Sequence, residues 1–186
     1  GLDLQRREWD ADNNIGMQRN DMLPDTVTDG GGLWAVYEKQ RGSWAVETGL
    51  RLDVRQSKAR EDISFLQGAV GTSSNEQTDL LPSAYALVSR ELQDTLTGYA
   101  GLGFASRVPD PQERYMNLNR PMANPDWVGN PDINPVQNLE LQGGLRWQEE
   151  ALDAEISVFH AWLYDYIYLA RLGANPPTLP GGATTY

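Results

Sequence analysis

Alternation of apolar and polar side chains with a period of two most limits what this chain can become, because it commits successive residues to opposite faces of a sheet. From Trp44 the alternate positions read Trp44, Val46, Thr48, Leu50, Leu52 and Val54, and the interleaved ones Ala45, Glu47, Gly49, Arg51, Asp53 and Arg55. The same split runs through Leu139, Leu141, Gly143, Leu145 and Trp147 against Asn138, Glu140, Gln142, Gly144 and Arg146. It recurs with Leu152, Ala154, Ile156 and Val158 against Asp153, Glu155 and Ser157, and more weakly with Leu96, Ala100, Leu102 and Phe104 against Thr97, Tyr99, Gly101 and Gly103. Each segment predicts a strand with one greasy and one polar face.

The connections decide between a soluble sandwich and a membrane barrel. Gln40 to Ser43, Gln93 to Asp94 and Gln148 to Ala151 suit tight hairpins. The alternate connections, residues 13–32, 59–82, 108–137 and 169–183, are rich in Asn, Asp, Pro and Gly and exceed the ~12–15 residues usual in a compact domain. Short turns at one end and long loops at the other are the up-and-down pattern of a transmembrane β-barrel, with periplasmic turns and extracellular loops. The segments Ser43 to Lys58 and Leu152 to Tyr168 are longer than the ~9–11 residues a strand needs to cross a bilayer. Tyr37, Trp44 and Trp147 beside the tight turns, and Trp162, Tyr164, Tyr166 and Tyr168 at the far end, are placed as two interfacial girdles.

Composition agrees with this reading once the order of residues is known. The 186 residues include 6 Trp, 8 Tyr, 18 Gly and no Cys, which excludes disulfides, zinc fingers, iron–sulfur clusters and thiol nucleophiles. No run of eighteen apolar residues exists, so a transmembrane helix is excluded while strands that carry a polar residue at every second position are not. With 26 acidic and 15 basic residues, a net charge of −11, the chain would repel a phosphate backbone, and nucleic acid is not an expected partner.

The fold class expected is therefore all-β: an antiparallel, up-and-down transmembrane β-barrel fragment of about seven strands, an open curved sheet. An odd, open set leaves edge groups unpaired, which lipid does not tolerate. Residues 1–186 are expected to be a partial barrel, and the start at Gly1, with no initiator Met or apolar leader, is expected to reflect processing or truncation.

The stretch from Gly103 to Tyr115, G-F-A-S-R-V-P-D-P-Q-E-R-Y, and that from Trp127 to Trp147, W-V-G-N-P-D-I-N-P-V-Q-N-L-E-L-Q-G-G-L-R-W, resemble the TonB-dependent outer-membrane receptors. The resemblance lies in an Arg-x-Pro strand end, Arg107 and Pro109, followed by a G-N-P segment, Gly129, Asn130 and Pro131, then Pro135 and a strand with Asn138 and Glu140. Glu113 and Arg114 belong to the same loop. The chain departs from the family pattern at Ile133, Asn134 and Val136, where Leu, Lys and Glu are frequent. The segment Phe159 to Ile167 is similar to a family strand ending in Asp-Tyr-Ile, and the hairpin from Leu33 to Asp53 is similar to family barrel strands. The six prolines Pro109, Pro111, Pro121, Pro125, Pro131 and Pro135 also suit a long loop that holds its shape outside a sheet.

The resemblance implies an outer-membrane location in contact with lipid, a plug domain absent from this chain, and import driven through that plug by the TonB complex. It implies transport, not catalysis, and no cofactor. Its style, R-V-P-D-P-Q-E-R-Y with W-V-G-N-P-D, looks most like the copper-receptor branch. All four methionines fall in inferred extracellular loops, and thioether sulfur favours copper(I). Met17, Met22, Met116 and Met122, with Asp126 and Trp127, are the candidate ligand-binding residues, and Met116 and Met122 the candidate metal ligands. Copper is the expected cargo and an iron–siderophore complex the rival.

Three further readings are weaker. Asp10, Asp12, Asn14 and Asp21 have the alternating oxygens of a calcium loop, but Ile15 occupies the sixth position where Gly is required. His160 is the only histidine and shares a face with Ile156 and Val158, so an interfacial or packing role is expected, not that of a ligand or base. Glu47, Arg51, Asp53, Glu140, Arg146, Asp153 and Glu155 are expected to pair across the lumenal wall or with the plug. The competing class is a secreted carbohydrate-binding or adhesive β-protein, in which the two apolar faces would meet in a core.

Overall fold

The computed structural model of the chain describes residues 1–15, 18–118 and 127–169. In chain order the elements are β1 (Leu2–Ile15), β2 (Gln18–Arg41), β3 (Trp44–Ala59), α1 (Phe65–Val70), β4 (Glu76–Gln93), β5 (Leu96–Arg107), α2 (Pro111–Tyr115), β6 (Asn117–Leu118), β7 (Trp127–Val128), β8 (Val136–Glu149) and β9 (Leu152–Tyr164). Seven strands form one open sheet in the order β1-β2-β3-β4-β5-β8-β9, every pair antiparallel, while β6 and β7 make a separate ribbon. No described helix is long and apolar enough to cross a membrane. The predicted tight hairpins all form: two residues separate β2 from β3, β4 from β5, and β8 from β9. Gly42, at φ +56°, supplies the left-handed backbone that the first turn needs.

Register aligns the apolar residues into continuous rows. Ala35, Leu50, Ala84, Phe104, Leu139 and Trp162 are successive cross-strand partners on six strands. The apolar face beginning at Trp44 and the one beginning at Leu139 are thus the same face, and they do not meet in a core. This face is open: Leu50 is 67% exposed, Ile156 69% and Val158 73%, whereas Asp53 is 7% and Ser57 1% exposed. A sheet that presents leucines outward while polar residues such as Asp53 and Ser57 are withdrawn on its other side inverts the soluble pattern, and lipid is the solvent that reverses the cost.

Two loops expected from composition are strand instead. Residues 18–32 extend β2, and the Gly30 to Gly32 run lies within it. A Cβ on Gly30 would meet the Arg55 side chain and the Val54 carbonyl oxygen, and one on Gly32 would meet the Asp53 carboxylate. These glycines make room for charged side chains from the neighbouring strand, and do not mark a turn. Likewise 76–82 belong to β4 despite Pro82, which shortens that loop to residues 60–75. At the other limit β9 ends at Tyr164, with Tyr166 and Tyr168 beyond it and Asp165 at φ 51°. Asp12 and Asp21 are cross-strand partners in the β1–β2 ladder, which removes the calcium-loop geometry.

The buried core is small and lies at the end of the sheet away from the tight turns. Leu23, Ala59, Ile63, Leu66 and Tyr115 form it, with Phe65, Val70 and Val128 packed against them. It is made by the long connections folding onto the wall.

Candidate functional site

The connection from β5 to β8 is built around α2. Pro111 at the start of this short helix needs no hydrogen-bond donor, and Asp110 and Glu113 form a reciprocal capping box. The Glu113 carboxylate accepts the Asp110 N–H at 2.7 Å and two N–H groups of Arg107 at 2.9 Å each, tying α2 to the end of β5. Burial works to raise the Glu113 pKa, but these hydrogen bonds outweigh it and hold the carboxyl below its ordinary range.

Arg114 points the opposite way. Its two terminal nitrogens donate to the two oxygens of Asp79 at 2.7 Å each, one also reaching the Ile133 carbonyl at 3.3 Å, and the two side chains are 1% and 7% exposed. Asp79 stands opposite Arg55, in the file of Asp53 and Arg51 that faces the lumen, so this ion pair draws the loop inward over the wall. Tyr115 follows it in, donating to the Ser57 carbonyl at 3.3 Å. Burial pushes its phenol up to about 12.

The second half of the loop closes on the first. The Gly129 N–H donates to Met116 O, and the Asn130 N–H to Glu113 O, both at 2.9 Å. A Cβ on Gly129 would fall 2.5 Å from the Arg114 carbonyl carbon, so only glycine permits this approach. Asn130 accepts the Asp132 N–H at 3.0 Å, and Gln77 of β4 donates to Asp132 at 2.9 Å. Pro109 and Pro131 are fully buried. Arg107, Pro109, Glu113, Arg114, Gly129, Asn130 and Pro131 therefore form one compact cap, and their role in it is to hold the loop's shape.

Pro135 is half-buried at the entry to β8, while Asn138 and Glu140 lie on the lumenal face of that strand. There they border a groove of about 480 Å³ with Trp34, Arg51, Ser83 and Tyr85. Met116 directly follows α2 and is half-buried; Met22, also half-buried, is on β2, against which α2 and β6 pack. Trp127 is half-buried opposite Leu118. Met17, Met122 and Asp126 lie outside the described residues. Among the described residues no group of three or more His, Asp or Glu could hold a metal.

Of the lumenal charges, Arg51, Asp53, Arg146 and Glu155 form ion pairs within the wall. Arg51 binds Asp53 at 2.5 Å and Asp3 at 2.7 Å, and Arg146 binds Glu155 at 2.8 Å. Tyr85 donates to Glu47 at 2.5 Å, and Tyr99 reaches across β8 to Glu155 at 2.6 Å. The rings overlie Gly49 and Gly144, where any Cβ would strike them. His160 sits on the outer face, edge-on to Trp162 at 4.4 Å between ring centroids, consistent with a packing role. Sequence reasoning missed Asp79 and Tyr115. Asp79 was legible only through the alternation Gln77, Asp79, Leu81, which Pro82 obscures.

A lipid-facing sheet with a paired polar lumenal face, tight turns at one end and a folded cap at the other defines a membrane β-barrel wall. The family model of the TonB-dependent receptor-like β-barrel matches residues 1–186, and the chain belongs to that family. Its members are outer-membrane receptors and transporters, not enzymes. Among solved structures the chain is similar to a copper transporter, OprC, with 26% identity and a TM-score of 0.65 over 87% of this chain. It spans 27% of that protein's chain. No curated protein matches.

Proposed function

We propose that residues 1–186 are part of the barrel of an outer-membrane receptor that imports a scarce metal or metal complex, with copper favoured over an iron–siderophore. Further strands complete the wall, because the free edges of β1 and β9 would otherwise leave backbone groups unpaired in lipid. A plug domain fills the lumen, and the TonB complex drives release of the cargo by acting on that plug.

The observation that carries the copper reading is the placement of Met22 and Met116. Both are half-buried, Met22 on β2 and Met116 between α2 and β6, the two elements that pack on β2, and thioethers select copper(I) from a mixture of biological cations. Similarity to a copper transporter supports the same cargo. The test is cellular copper accumulation by the full-length receptor carrying Met22→Ala and Met116→Ala. Reduced copper uptake with unchanged receptor abundance is expected; unchanged copper uptake would refute the thioether role, and lost iron uptake instead would identify the siderophore cargo.

A further inference from the structure

Charge on β2, β3 and β4 is segregated between faces at the end carrying the tight turns. On the outer face Arg41 stands opposite Trp44, and Trp44 opposite Arg90, forming one row across three strands. Lys39 begins the next row, opposite Val46. On the lumenal face of the same strands stand Glu38, Glu47 and Glu91. A backbone hydrogen bond from Glu91 N–H to Ser43 O at 2.9 Å holds the turn against β4 and fixes the row.

The outer cations have no carboxylate partner among the described residues. Arg90 lies over the Trp44 ring at 5.0 Å from its centroid, and Lys39, Arg41 and Arg90 are all exposed. The opposite rim behaves differently. There Arg6 pairs with Glu8 at 3.5 Å and Asp29 at 3.7 Å, Lys58 with Glu76 at 3.1 Å, and Arg60 with Asp25 at 3.2 Å and Glu8 at 3.4 Å. One rim neutralises its cations internally, and the other presents them to whatever lies alongside.

In this family the tight turns face the periplasm, so the open cations lie level with the headgroups of the periplasmic leaflet. From this geometry we infer that Arg41, Trp44 and Arg90, with Lys39, form a binding site for an anionic phospholipid of that leaflet. The two guanidinium groups fork onto the phosphate, Lys39 adds a third positive charge, and Trp44 lies flat at the interface with the acyl chains beside Val46 and Val88. At this end of β2, β3 and β4 the strand carboxylates Glu38, Glu47 and Glu91 stand on the other face, away from the headgroup. The inference rests on the barrel placement alone and is independent of the copper reading.

The test uses the full-length receptor purified in neutral detergent and offered mixed micelles of phosphatidylglycerol and phosphatidylcholine, with retained lipid counted by native mass spectrometry. Selective retention of phosphatidylglycerol is expected. Arg41→Gln with Arg90→Gln lowers it by roughly tenfold, while Lys58→Gln at the other rim leaves it unchanged. Arg41→Lys with Arg90→Lys keeps the charge and restores most of the retention, and Arg90→Gln alone decides the matter if the double variant does not fold. Equal retention of the two lipids, phosphatidylglycerol retention indifferent to both glutamine variants, or lipid A held by these residues in its place would overturn the assignment.

Discussion

Arg114 and Asp79, thirty-five positions apart, meet through two parallel hydrogen bonds of 2.7 Å, with both side chains withdrawn from solvent. One belongs to a helix in the loop between β5 and β8, the other to the lumenal face of β4. Their pairing turns what would be a long extracellular excursion into a cap seated on the barrel wall.

Removing one partner strands the other as a buried charge, which costs about 3–5 kcal/mol. Asp79→Ala should therefore release residues 108–135 from the wall while the strands remain paired. Hydrogen exchange should show lost protection in α2 and β6 and unchanged protection in β3 and β8. Asp79→Leu with Arg114→Met should be milder than either single change, since no charge is left behind.

Gly129→Ala introduces a Cβ 2.5 Å from backbone of α2, which cannot move as a side chain tip would. A loss of about 1–3 kcal/mol in cap stability is expected. Limited proteolysis should cut between Met116 and Trp127 faster than in the parent. Equal cleavage rates would show that the two halves of the loop are not held by this approach.

The lowered pKa of Glu113 makes the cap sensitive to acid in a defined direction. Its contribution is present above the unfolded carboxyl value of about 4.3 and is lost as pH falls through the lower folded value. Protease resistance of the loop should decline on acidification below that value. Glu113→Gln should remove this dependence and leave the loop weaker at neutral pH.

Leu50 stands in the lipid-facing row between Ala35 and Ala84 and is 67% exposed. Leu50→Arg should cost about 2–4 kcal/mol of stability in the bilayer, read as a loss of folded, heat-modifiable receptor in the outer membrane. Ser83→Arg, facing the lumen on the next strand, should be tolerated far better.

Much of this fold is visible in local pattern. The alternation through Trp44 to Val54 and Leu139 to Trp147 is intrinsic to each strand, and the hairpins at Gly42, Asp94 and Glu150 depend only on a few adjacent residues. Gly30 to Gly32 and Pro82 carry turn and breaker signals in the sequence, whereas their places in the sheet are set by what the neighbouring strand contributes. Arg55 and Asp53 fill the space above the glycines, and Pro82 stands opposite Leu52 on the face turned to lipid. The loop motif was likewise recognisable as R-V-P-D-P-Q-E-R-Y, but nothing in it names Asp79 or Ser57 as the groups that Arg114 and Tyr115 will reach.

By itself, the order of residues determined an antiparallel sheet with one lipid face, its tight turns and its interfacial aromatics, because period, turn chemistry and girdle placement act over a few positions. Only the tertiary structure decided that the long loop folds inward, that Glu113 clasps Arg107 while Arg114 is buried on Asp79, and that cations stand open on one rim and paired on the other. Those outcomes depend on register between strands and on contacts across tens of residues, and a charge carries no mark in sequence of the partner that folding will bring to it.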